Sequence, residues 1–120
     1  MSGGLTTHVL DISRGLPASG MRIQLWSLQE GSEPVLIKIV ETNADGRLEA
    51  PLLAACDLAV GEYQLVFEAG DYFASREPGR EQNETFLDQI PVRFQVHEAG
   101  SPIHVPLLVA PGGYSTYRGS

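Results

Sequence analysis

The stretch His104-Val-Pro-Leu-Leu-Val-Ala-Pro-Gly-Gly-Tyr-Ser-Thr-Tyr-Arg-Gly-Ser120 reads as strand, turn, strand: an apolar β-prone run, a Pro-Gly-Gly break, then a Tyr- and Thr-bearing segment. Alternation sharpens it. From Ile103 to Val109, residues Ile103, Val105, Leu107 and Val109 share one face, leaving His104, Pro106 and Leu108 on the other. His104 therefore points away from the most apolar row. Pro106, with no N–H to donate, belongs at an unpaired position, a bulge or an edge.

Working outward, similar segments recur at 5–10, 22–28, 35–40, 63–67 and 90–96, besides 104–110 and 114–118. Gly, Pro, Asn and Asp punctuate the intervals at 15–20, 31–34, 43–46, 61, 100–102 and 111–113. Six or more short strands at this spacing predict an all-β sandwich or barrel. One short helix is expected between residues 68 and 78, anchored by Phe67, Tyr72 and Phe73 and stopped by Pro78 and Gly79. Residues 77–84 are polar and read as an exposed loop. In the first strand Leu5, Thr7 and Val9 share one face, and Thr6, His8 and Leu10 the other. Both histidines thus lie on faces that mix polar with apolar residues, as a lined cleft or a subunit interface would.

A chain of 120 residues fits one domain, 1–120, and no run approaches the roughly 20 apolar residues of a membrane span. Fifteen acidic against eight basic residues give a formal charge of −7, which disfavours nucleic acid and acidic membranes as partners. Any anion site must then be built locally from a few Arg and His side chains. The single Cys56, within Leu52-Leu-Ala-Ala-Cys56, is expected to be a packed, inert thiol. Met-Ser-Gly-Gly-Leu5 lacks the basic and apolar parts of a secretory signal, so a cytoplasmic location is expected.

His8 and His104 are the leading proton-transfer candidates, since imidazole titrates nearest physiological pH. Taken singly, each of the three histidines is more often structural than catalytic, and His97 stays with that reading. Arg47 follows Asn43-Ala-Asp-Gly46, where Asp-Gly is a strong hairpin signal. Its planar fork suits a ring carbonyl or a developing oxyanion, and its charge would keep a nearby imidazole neutral. No metal is expected: His-Glu-x-x-His and paired Cys are absent, and His97 and His104 would fall on opposite faces of a continuous strand. A Gly-x-Ser-x-Gly elbow and a phosphate loop are also missing, and no cofactor is expected.

With Leu5-Thr-Thr-His-Val-Leu-Asp11, Thr42-Asn-Ala-Asp-Gly-Arg47, Phe86-Leu-Asp-Gln-Ile-Pro-Val-Arg-Phe94, His104-Val-Pro-Leu-Leu108 and Tyr114-Ser-Thr-Tyr-Arg-Gly-Ser120, the chain resembles the 5-hydroxyisourate hydrolases, the enzymatic branch of the transthyretin-related proteins. One departure is Pro102-Ile103, where members often have His-Tyr. The resemblance implies a transthyretin-like β-sandwich of two four-stranded sheets with one short helix. It implies a homotetramer, a dimer of dimers with sites at the dimer–dimer interface. It also implies hydrolysis of 5-hydroxyisourate, with His8, Arg47 and His104 catalytic and Tyr117, Arg118, Gly119 and Ser120 binding substrate, in a pocket closed by the chain's end. The competing class is a non-enzymatic transthyretin-like carrier, and a purely structural sandwich ranks last.

Overall fold

A computed structural model describes residues 3–76 and 85–120. Eight strands run in the order β1 (Leu5–Asp11), β2 (Leu16–Pro17), β3 (Arg22–Ser27), β4 (Val35–Glu41), β5 (Gly61–Glu68), β6 (Gln89–Val96), β7 (Ile103–Ala110) and β8 (Gly113–Thr116). A helix α1 (Ala69–Arg76) follows β5, and a 3₁₀ turn covers Ala55–Asp57. The strands make two four-stranded sheets, β2-β1-β7-β8 and β4-β3-β5-β6. Two sheets packed face to face with one short helix are what the sequence predicts. The loop expected at residues 77–84 lies outside the described residues.

Alternation explains the core. Leu5, Val9, Leu107 and Val109 from the first sheet meet Ile23, Leu25, Leu65 and Phe67 from the second, all fully buried. Truncating one of these to alanine would cost about 2–5 kcal/mol. The helix closes one end of the sandwich by burying Ala69, Tyr72 and Phe73, with Asp71 in its first turn and Arg76 in its last, the charge order a helix dipole favours. The Tyr72 hydroxyl donates to the buried Asp11 carboxylate (2.8 Å), fixing the helix to the end of β1.

Several expectations need correction. Asp45-Gly46 forms a turn but no hairpin: β4 pairs with β3, and β5 pairs with β3 and β6. The chain instead crosses to the other sheet, where the Gly46 carbonyl accepts from Val9 N–H (2.8 Å) and Leu5 pairs with Leu53 along the open edge of β1. Gly46 has φ +73°, and a Cβ there would lie 2.3 Å from the Val9 carbonyl oxygen, so the crossing requires glycine. Cys56 is exposed, because it sits in the 3₁₀ turn Ala55–Asp57, none of whose residues is buried, while Leu52 and Leu58 on either side take the buried places. The glycine-rich turn region at 15–20 also contains a two-residue strand, β2, too short to leave an alternation signal.

Pro106 occupies a position set by its missing donor. Ile103 N–H donates toward β1, to the Gly4 carbonyl, so by alternation the nitrogen of Pro106 faces β8. The β7–β8 ladder runs from Ala110↔Gly113 to Leu107↔Thr116 and stops where Pro106 would have to donate. One residue pair of the same register, His104↔Gly119, then closes as an isolated bridge. The last strand accordingly ends at Thr116, short of the predicted 118. No bulge re-aims His104, since β7 pairs with β1 in unbroken register from Ile103 to Val109.

Candidate active site

A cleft of about 820 Å³ opens on the outer face of the β2-β1-β7-β8 sheet. Its floor comes from two neighbouring parallel strands: Thr6 on β1 and His104 on β7 are register partners, both half-buried and both facing away from the core. Thr6 Oγ1 lies 2.8 Å from His104 Nδ1. One wall is residues 47–51, including Arg47 and Glu49; the other is residues 118–120.

The Arg47 wall is organised by Asn43. Its Oδ1 accepts from the N–H groups of Asp45 (2.9 Å) and Arg47 (3.1 Å), and its Nδ2 donates to Glu49 Oε2 (2.8 Å). A short polar side chain that folds back on the next backbone groups holds a tight loop without regular structure. The C-terminal wall is held by backbone. Gly119 N–H donates to the His104 carbonyl (2.8 Å), and the Arg118 guanidinium donates to the Pro102 carbonyl (3.1 Å). A Cβ on Gly119 would sit 2.4 Å from His104 Cδ2, so only glycine lets the chain pass so close to the ring.

Electrostatically, the His104 pKa is lowered from the ordinary imidazole value, first by burial and then by the positive fields of Arg47 and His8. The ring is thereby kept neutral. Arg47 is exposed, and its guanidinium makes no hydrogen bond or ion pair with the described residues. A neutral imidazole beside an unpaired guanidinium can remove a proton from water while the fork binds a carbonyl or oxyanion.

The predicted residues divide in three. Arg47, His104, Arg118, Gly119 and Ser120 line the one cleft. His8 stands beside it without lining it; its Nε2 contacts the Asp45 carbonyl at 3.1 Å. Tyr117 lines a separate pocket of about 140 Å³ with Val92, Phe94, Ile103 and Val105. His97 falls just past β6, in a groove with Arg93 and Glu62 on the other sheet. Among the described residues no group of three or more His, Cys, Asp or Glu is placed to hold a metal. Sequence reasoning missed Thr6 and Asn43. Alternation already put Thr6 on the face of His8, but its contact with His104 depends on a parallel pairing 98 residues apart.

Fold and site together define a transthyretin-type β-sandwich with a His/Arg cleft on the outer face of one sheet. The chain belongs to the HIUase/Transthyretin family, whose model matches residues 5–119. It is 53% identical over 120 residues to the 5-hydroxyisourate hydrolase of Halalkalibacterium halodurans, covering 100% of both chains. Among solved structures it is similar to Klebsiella pneumoniae 5-hydroxyisourate hydrolase, with 38% identity, a TM-score of 0.74 and coverage of 98% of this chain and 99% of that one. It is also similar to part of an (S)-allantoin synthase, with 44% identity and a TM-score of 0.85; the match takes in 99% of this chain but 44% of that protein.

Proposed function

We propose that this protein hydrolyses 5-hydroxyisourate, opening its six-membered ring to 2-oxo-4-hydroxy-4-carboxy-5-ureidoimidazoline. The observation that carries the reading is the pairing, in one cleft, of a His104 kept neutral with an Arg47 guanidinium that no described residue engages. The names of full-length relatives add to it. Water attacks the ring amide carbonyl, the C–N bond breaks, and the ring nitrogen leaves with a proton. His104 takes the proton from water, an assignment supported by its place in the cleft floor. His8 orients that water or returns a proton to the departing nitrogen. Arg47 holds the planar substrate and stabilises charge growing on the carbonyl oxygen. Arg118, Gly119 and Ser120 close the pocket, and the Ser120 hydroxyl hydrogen-bonds the substrate. Tyr117 borders the site from the small pocket behind the C-terminal wall.

The protein acts as a homotetramer in which paired outer faces bring residues of two subunits together. Leu10 and Leu108, half-buried among His8 and His104 on that face, supply apolar area for such a contact. A carrier of a large apolar ligand would want an aliphatic lining, whereas this cleft presents His104, Arg47, Glu49 and Arg118.

The test follows the loss of 5-hydroxyisourate absorbance, with substrate generated in situ from urate and compared with its spontaneous decay. Acceleration by the parent protein is expected. Decay at the background rate in a folded tetramer would instead favour the carrier. Sedimentation checks the assembly, and a fully active monomer would overturn it.

A further inference from the structure

A general base works only if its ring is held in one pose and one tautomer. Among the described residues the geometry offers His104 a single side-chain partner: the Thr6 hydroxyl, 2.8 Å from Nδ1. The other ring nitrogen, Nε2, has no hydrogen-bond partner among the described residues and is left for a ligand. On the far side of the ring Gly119 packs so closely that His104 cannot swing toward the C-terminal wall. Thr6 is itself fixed, because β1 pairs with β7 in unbroken parallel register and both side chains leave the sheet on the same face.

We propose that Thr6 is a positioning residue for His104: by accepting a hydrogen bond from Nδ1–H, its hydroxyl holds the ring in the tautomer whose Nε2 lone pair is free to take a proton. The kinetic consequence rests on the hydrolase reading; the contact and the tautomer do not. A hydroxyl suits this place because it is uncharged. A carboxylate opposite Nδ1 would stabilise the imidazolium, whereas the neighbours that act on this ring are Arg47 and His8, with Glu49 and Arg118 elsewhere in the cleft lining.

Thr6→Val keeps a β-branched side chain of similar size on the strand and removes only the hydroxyl; Thr6→Ser restores it. With 5-hydroxyisourate as substrate, kcat of Thr6→Val should fall about tenfold at nearly unchanged KM, and Thr6→Ser should recover to within about threefold of the parent. In ¹⁵N-histidine-labelled protein, the His104 nitrogen shifts should report Nδ1–H in the parent and in Thr6→Ser, and a tautomer mixture in Thr6→Val. An unchanged kcat in folded Thr6→Val, a failure of Ser to rescue, or a parent spectrum dominated by Nε2–H would each overturn the proposal. If the parent itself does not turn over the substrate, the hydrolase reading fails, and the nitrogen spectra still decide the Thr6 contact.

Discussion

The outer faces of the two sheets differ in how their polar groups are used: one is closed upon itself and the other is open. On the β4-β3-β5-β6 sheet the polar groups satisfy one another. Trp26 Nε1 donates to Gln24 Oε1 (2.8 Å), Gln24 Nε2 donates to Glu68 Oε2 (2.9 Å), and Arg93 Nε donates to Gln64 Oε1 (3.1 Å). Arg22 approaches Glu68 at 3.9 Å. On the β2-β1-β7-β8 sheet His104 spends one nitrogen on Thr6, and Arg47 spends its guanidinium on nothing among the described residues. Hydrogen-bond satisfaction separates these faces. Polar groups that neighbours do not use remain available to a substrate, and a face where they converge in a cleft is the better candidate for chemistry.

The largest expected effect breaks the open face at its centre. His104→Asn should lower turnover of 5-hydroxyisourate by about 100-fold or more, with the fold unchanged by circular dichroism. Near-normal turnover would remove His104 from the reaction. Next comes the wall that presses on the ring: Gly119→Ala puts a methyl 2.4 Å from His104 Cδ2, so either the ring or the terminus must move. Turnover should fall about tenfold while thermal stability changes little, because Gly119 is half-buried between exposed neighbours and outside the core.

A subtler test uses pH. The His104 pKa lies below the ordinary 6.5, so the neutral, base-competent ring persists to lower pH and the acid limb of kcat/KM should lie below 6.5. Arg47→Gln removes one positive field and should move that limb upward, apart from its own loss of rate; a limb that stays in place would argue that the guanidinium does not act on this ring. The smallest effect belongs to the closed face. Trp26→Phe leaves Gln24 Oε1 without its donor and should cost about 1 kcal/mol in denaturant unfolding. Turnover should stay at the parent level, and a marked loss would erase the distinction between the two faces.

Much of the fold was legible because burial imposes a period of two. In β1, and in β7 except at the buried Pro106, the observed order of buried and half-buried residues follows the alternation of the sequence, which placed Thr6, His8 and His104 outward. Other features carried no such period. The strand β2 is two residues long, the 3₁₀ turn around Cys56 sits inside an apolar run, and Asp45-Gly46 signals a turn without saying which strand it serves. Tyr117 follows a strand whose ladder Pro106 cuts short, so alternation could not be carried through to it.

By itself, then, the sequence determined the strand-rich architecture, the outward facing of both histidines and, through the motifs at each end, the family resemblance. Side-chain period and turn chemistry are local properties, readable within a few residues. Only the tertiary structure decided that Thr6 meets His104, that the Asn43 loop crosses to the opposite sheet to present Arg47, and that His8 and Tyr117 stand beside the cleft. Those facts depend on parallel pairing and loop docking between distant segments, where the free energy comes from closing contacts that no local pattern encodes.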